Sequence, residues 1–188
     1  DAHTGKTDTL VSLYQINTLS SVDERLKTMP SIVFTNEKKA YYKKDSTYWR
    51  MEKNNADWRV RKWFSLPADA ESITFSKNKE LVVFTLKNNL FMQSGSKKVQ
   101  ITNDTDENIL NGAAVHRNEF GIDRGIFISP DATKIAFYRM DQTMVKDYPI
   151  IDWSVTPAVN HTIKYPMAGQ TSHEVTLNVY DIRSGNTV

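Results

Sequence analysis

Short runs of apolar residues bounded by polar turn clusters occupy most of the chain, the pattern of strands joined by turns. They are SIVFT (31–35), AYYKK (40–44), TYWRM (47–51), ESITFS (71–76), ELVVFTL (80–86), NLFMQ (89–93), GIFIS (125–129), KIAFYRM (134–140) and VTLNVYDI (175–182). β-Branched and aromatic residues dominate them, and Asn, Asp, Gly, Ser and Lys clusters bound most of them, as turns require. A helix is expected only near the start, within DTLVSLYQINTLSSVDERLKTM (8–29), and its apolar spacing is imperfect. The pattern predicts an all-β protein.

Internal repetition sharpens this. FSKNKELVVF (75–84) superposes without a gap on ISPDATKIAF (128–137), with Ser76 on Ser129, Val82 on Ile135 and Phe84 on Phe137. In both copies a strand ends at serine, a polar turn follows and an apolar strand returns. NLFMQSGSKKVQIT (89–102) and NVYDIRSGNTV (178–188) form a second pair, each a strand, a Gly-containing turn and the start of a return strand. Antiparallel sheets repeated about every 40–55 residues have the period of β-propeller blades. At about 45 residues per blade the 188-residue chain makes about four blades. The last motif stops at Val188 straight after its turn, and an open partial ring would leave unpaired sheet edges. Residues 1–188 are therefore expected to be the N-terminal part of a larger propeller, cut within a blade.

Composition excludes more than it adds. The formal net charge of +2 makes no electrostatic case for nucleic acid. The densest basic cluster, WRVRKW (58–63), alternates with large apolar residues, as a solvated strand face would. Cysteine is absent, which removes disulfides, a thiol nucleophile and thiolate metal sites. No apolar run approaches the roughly 18 residues of a membrane-spanning helix. The polar start DAHTGKTDTL is not a signal peptide, and reads as a mature terminus after cleavage or an arbitrary boundary. No G-x-S-x-G, Walker loop or dinucleotide fingerprint occurs. His3, His116, His161 and His173 lack zinc-site spacing, so neither a metal nor a cofactor is expected. Asn103-Asp-Thr105 and Asn160-His-Thr162 are glycosylation sequons by pattern only.

One segment interrupts the strands with charges of both signs: VHRNEFGIDRG (115–125). It lies between the motif ending near Thr102 and the strand GIFIS, where an outer strand would cross over. TDENILNGAAVHRNEFG contains helix formers, with Asp106 or Asn108 available as caps, so a short helical excursion near 106–120 is expected. Such a protrusion can hold Glu119 away from the sheet, oriented by a neighbouring arginine, and a carboxylate so placed suits a ligand ammonium group. A surface loop with ordinary ion pairs, worth under about 1 kcal/mol, is the other reading of the same residues.

VHRNEFGIDRGIFISPDATKIAFYRMDQTMV, followed by YPMAGQTSHEVTLNVYDIRSG, closely resembles the propeller domain of the dipeptidyl peptidase IV family of serine peptidases. Within that family it is most similar to the bacterial prolyl tripeptidyl peptidases. The resemblance is strong from about residue 100 to 188 and looser, though collinear, before that. It implies an eight-bladed N-terminal propeller joined to a C-terminal α/β-hydrolase domain with a Ser-Asp-His triad. The triad residues would all lie beyond Val188, so this chain holds no catalytic residue.

The resemblance also gives the charged segment a role. Dipeptidyl relatives bind the substrate's free α-amino group with two adjacent glutamates on a short helix. Here those positions read Asn118-Glu119, the NEFG pattern shared with the tripeptidyl relatives, in which a single glutamate captures an amino terminus one residue further out. Glu119 is the primary substrate-binding candidate, and Asn118 a neighbour that shapes the pocket. The family's substrate-carbonyl arginine cannot be aligned, although Arg50, Lys43 and Lys44 lie in its neighbourhood. VKDYPIIDWSVTPAVNHTIKYPMAG (145–169) corresponds to a blade extension that packs against a second subunit in the family. Its prolines (Pro149, Pro157, Pro166) and scattered apolar residues suit an extended arm poorly buried by one small sheet.

The expectation is the propeller portion of a periplasmic or secreted exopeptidase that releases Xaa-Xaa-Pro tripeptides from peptides with proline near the amino terminus. Its partners would be those peptides, the α/β-hydrolase domain of the same protein and a second copy in a homodimer, with no nucleic acid and no membrane span. Two alternatives stay open: a dipeptidyl peptidase IV that releases Xaa-Pro dipeptides, and a non-catalytic propeller used as a binding module.

Overall fold

The structure is a computed structural model that describes residues 5, 9–18, 25–54, 57–77, 80–115 and 119–188. They fall into two compact units, Asp1–Ala68 and Asp69–Val188. Each is all-β apart from short helical pieces, and each is built on four-stranded antiparallel sheets.

The first unit opens with helix α1 (Leu13–Thr18). A reciprocal cap starts it: the Ser12 amide donates to Gln15 Oε1 (2.8 Å) and the Gln15 amide to Ser12 Oγ (3.2 Å). Among the described residues of the 8–29 window the helix spans six residues, of which only Ile16 is buried. That fits the imperfect apolar spacing, because a helix this short survives by docking one side chain rather than by its own propensity. Strands β1 (Ile32–Asn36), β2 (Lys39–Lys44), β3 (Thr47–Asn54) and β4 (Asp57–Ser65) follow as a meander. Alternation decides the faces. Ala40 and Tyr42 on β2, and Trp49 and Met51 on β3, join Trp58, Val11 and Ile16 in one buried cluster. On β4 the basic residues Arg59, Arg61 and Lys62 are exposed while Trp58 is buried, so the basic cluster is a solvated strand face. Arg50 lies 4.3 Å from the Trp63 ring and close to Glu52, an arginine stacked within its own sheet.

In the second unit β5 (Glu71–Phe75), β6 (Val82–Leu86), β7 (Asn89–Ser94) and β8 (Lys97–Gln100) form another meander. Lys87 (φ 48°) and Asn88 (φ 61°) make the two-residue turn between β6 and β7, the left-handed pair that suits a tight hairpin. The remaining strands are β9 (Ile109–Asn111), β10 (Ile126–Ile128), β11 (Lys134–Asp141), β12 (Asp147–Asp152), β13 (Val159–Lys164) and β14 (Glu174–Asp181). Strand β11 is central: β14 pairs along one edge, and β10 and then β9 lie end to end along the other.

The repeat seen in the sequence is a repeat in space. Phe75 pairs with Val82 and, equivalently, Ile128 with Ile135. The Ser76 amide donates to Leu81 O, and Ser76 Oγ accepts from the Leu81 amide. Ser129 makes the same exchange with Lys134. In each copy the serine closes the turn that returns the chain, which is why it recurs there. The second repeat holds as well, with Tyr180 bridging Thr187 across a turn that contains Gly185. Within the second unit, the β5–β8 meander and the sheet built on β11 share one core of Leu81, Val83, Leu90, Met92, Ile126, Ile135, Phe137 and Tyr180.

Two expectations need correction. The described residues form three four-stranded sheets rather than about four. The helical start joins no sheet, and β12–β13 stands apart as a two-stranded hairpin, so the third sheet takes far more chain than an even division allows. The helical excursion near 106–120 is also different. Asp106 caps a turn by accepting from the Asn108 amide (2.8 Å), and β9 follows at once. Ile109, 6% exposed, gains more from burial on the edge of β11 than a solvated helix would give it. Among the described residues of this stretch the helical content is one 3-10 turn, Glu119–Gly121; residues 116–118 lie outside them.

Candidate functional site

The segment 112–125 does not cross from one sheet to the next. It leaves a strand edge and returns to that same edge, because β9 and β10 pair with successive parts of β11. One residue of β11 holds both ends. The Gly112 amide donates to Tyr138 O (2.7 Å), and the Tyr138 amide donates to Gly125 O (3.0 Å). The two glycines are there for space. A Cβ on Gly125 would fall 2.5 Å from the Ala113 carbonyl carbon and closer still to its oxygen, while one on Gly112 would meet Ile126 and Leu90 at 2.9 Å. Gly112 also has φ +75°, in the left-handed region. This glycine neck lets two backbone strands pass in contact while the sheet continues beneath the loop.

A polar network packs under the neck. The Asp104 carboxylate accepts from Arg139 Nη2 through Oδ1 (2.9 Å) and from Asn111 Nδ2 through Oδ2 (2.9 Å). The Asn111 amide donates to Asn88 O (2.9 Å), and Asn111 Nδ2 also reaches Asn88 O (3.2 Å). Asn89 holds the backbone on either side: its Nδ2 donates to Asp104 O, and its Oδ1 accepts from the Asp104 amide, each at 2.8 Å. The Arg139 hydrogen bond, helped by Asn111, keeps the Asp104 carboxyl below the usual carboxylate range, and the same pair raises Arg139. Both partners therefore stay charged at neutral pH. Asn111 is 1% exposed, and its Oδ1 meets no donor.

The loop above the neck holds the residues singled out in the sequence. Asn118, Arg117 and His116 lie outside the described residues. Glu119 opens the 3-10 turn, and its side chain too lies outside what is described. Phe120 follows with φ 54° and ψ 23°, a left-handed conformation costing a non-glycine residue roughly 1–2 kcal/mol. Its ring is 87% exposed. Its place in a polar segment was the signal available in the sequence. Arg124 pairs with Asp123 (3.3 Å). Arg50, Lys43 and Lys44 belong to the first unit, with Arg50 stacked on Trp63.

Sequence reasoning passed over Asp104, Arg139, Asn111 and Asn89. Asp104 and Arg139 stand far apart along the chain, and no motif joins them. Two further features complete the unit. The arm is a hairpin, β12–β13, with six paired rungs and exposed Ile150, Ile151, Trp153 and Val155. A depression of about 850 Å³ at its base is lined by Asn88, Glu107, Gln142, Asp147, Thr162 and Lys164, with Lys164 paired to Asp147 at 3.0 Å. It is polar and offers no activated nucleophile. Among the described residues no three His, Asp or Glu side chains gather to hold a metal, and no helix is long and apolar enough to cross a membrane.

Comparison with known proteins points one way. The model of the dipeptidyl peptidase IV (DPP IV) N-terminal region matches residues 27–188. A Talaromyces stipitatus protein named dipeptidyl-aminopeptidase B is 29% identical over 167 residues, 76% of this chain and 18% of that protein. A Bacteroides ovatus protein described as a dipeptidyl aminopeptidase IV superposes with TM-score 0.81 at 30% identity, over 98% of this chain and 26% of its own. Porphyromonas gingivalis dipeptidyl peptidase 4 superposes with TM-score 0.62 at 25% identity, over 84% of this chain and 22% of its own. The chain thus spans about a quarter or less of the length of these relatives.

Proposed function

Because the chain belongs to the dipeptidyl peptidase IV family, within its N-terminal region, we propose that it forms part of the β-propeller of a serine exopeptidase and that Glu119 binds the free α-amino group of peptide substrates. The observation that carries this reading is the glycine neck, which sends residues 112–125 out of an otherwise continuous strand edge. A sheet has no folding reason to interrupt its own strand, and the interruption carries the family's carboxylate position. An ammonium group gripped by a carboxylate in a partly desolvated site sets register along the peptide, and internal peptide bonds offer no such charge. With asparagine at 118 and one glutamate at 119, the captured terminus sits one residue further out, and the product is an Xaa-Xaa-Pro tripeptide.

In this reading the triad lies on an α/β-hydrolase domain of the same protein, the β12–β13 arm meets a second subunit, and the enzyme works in the periplasm or outside the cell. Release of Xaa-Pro dipeptides is the second reading, favoured by the names of the relatives. Hydrolysis of matched chromogenic Ala-Pro and Ala-Ala-Pro substrates by the full-length protein separates the two. Preference for the tripeptide is expected, and preference for the dipeptide refutes the tripeptidyl assignment. Glu119→Gln, with the triad intact, is expected to lower kcat/KM roughly a hundred-fold, the scale of removing one partner of a buried charge pair. Full activity in that variant refutes the anchoring role.

A further inference from the structure

Asn111 is the last residue of β9, and the next residue is the first of the neck. Its side chain is buried and polar. It spends its amide on Asp104 and Asn88 O and leaves Oδ1 without a donor. A buried acceptor without a donor is destabilising, and it offsets part of what the two Nδ2 bonds contribute. What the arrangement does supply is rigidity. Arg139 sits opposite Asn111 in the β9–β11 register. The Asp104 carboxylate bridges the two side chains from a loop, and that loop is itself pinned by both Asn89 polar atoms. Backbone pairing, an ion pair and two amides therefore converge on the point where the loop departs.

We propose that Asp104 and Arg139 are positioning residues for Glu119: their ion pair, joined through Asn111, sets the angle at which the 112–125 loop leaves the sheet and so where its carboxylate meets the substrate's amino group. This rests on the reading of Glu119 as the amino-terminus anchor. The pair needs no contact with substrate. A loop fixed at its base loses less conformational freedom on binding, so the advantage appears in substrate affinity rather than in the chemical step.

The test is a double-mutant cycle in the full-length protein with an Ala-Ala-Pro chromogenic substrate. Asp104→Asn is expected to lower kcat/KM about ten-fold through KM, with kcat held within about two-fold, within the range for residues that couple to a site without touching ligand. In a Glu119→Gln background the same change is expected to cost less than about two-fold, because a group acting only through Glu119 has nothing left to position. Equal losses in the two backgrounds, a loss confined to kcat, or full activity in Asp104→Asn would each overturn the proposal while leaving the anchor in place. Full activity in Glu119→Gln overturns the anchor and the positioning role together. Should Asp104→Asn fail to fold, Arg139→Lys passes through the same cycle, since it keeps the charge and loses the planar donor geometry. The same outcomes then support or overturn the proposal.

Discussion

Gly125→Ala isolates the neck. The φ of Gly125 lies outside the left-handed region, so alanine there meets no backbone penalty of its own. The added methyl, however, would sit 2.5 Å from the Ala113 carbonyl carbon and 2.7 Å from that of Gly112. Both are backbone atoms, which cannot rotate away, and carbon ordinarily stays about 3.3 Å or more from a carbonyl oxygen. The two sides of the neck must then separate. Forced overpacking costs about 1–3 kcal/mol. Separation also strains the bonds of Gly112 and Gly125 to Tyr138, at about 0.5–1.5 kcal/mol each. Allowing for the stiffer unfolded chain, the net loss is about 2–5 kcal/mol. For a unit of this size, about 3–5 °C per kcal/mol, the melting temperature falls by at least about 6 °C. Gly121→Ala is the internal comparison. Its φ is +72° but nothing lies within 4 Å of the new methyl, so its net cost is about 1 kcal/mol. Thermal melts followed by near-ultraviolet circular dichroism rank the two variants. A Gly125→Ala protein melting within about 2 °C of the parent, or above Gly121→Ala, would show that the backbone crossing is not as close as described.

Two further outcomes can be checked. Asp181 accepts from Lys134 Nζ at 2.8 Å and from the Ser184 amide and hydroxyl, which together hold its carboxyl well below the ordinary carboxylate value, the lysine contributing most. A carboxyl lowered in the folded state adds stability above its unfolded value of about 3.8 that is lost as pH falls through the folded value. Denaturant titrations between pH 5 and 2 should therefore show a shallower acid decline in Asp181→Asn, and an unchanged slope counts against the assignment. On the arm, Trp153 is 78% and Ile151 50% exposed. If the full-length protein pairs through this arm, as proposed, sedimentation of its Trp153→Asp, Ile151→Asp double variant is expected to show monomer where the parent shows dimer, and an undiminished dimer removes the arm from the interface.

Much of this molecule was legible along the chain because strands, turns and repeats are local. Runs rich in β-branched and aromatic residues found nine of the strands, and the recurrence of serine before an apolar run located two equivalent turns, since Ser76 and Ser129 each bond across only five residues. Those features depend on side-chain period and short-range hydrogen bonds, which a sequence carries explicitly. The start of the helical excursion expected near 106–120 is a strand instead, for the opposite reason. Ile109–Asn111 become a strand only because Arg139–Asp141 lie alongside, a pairing no local propensity encodes. The loop of 112–125 was visible as a break in pattern, yet its being an insertion within one strand edge needed β11 in place. What Gly112 and Gly125 are for showed only in their contacts, where two backbones touch. Asp104 and Arg139 were two ordinary charges among many, and only tertiary structure closed the 35-residue gap between them. Sequence determined which segments could be strands and where the chain could turn; packing decided which edges met, because long-range pairing is chosen by the burial and charge it satisfies rather than by its neighbours in the chain.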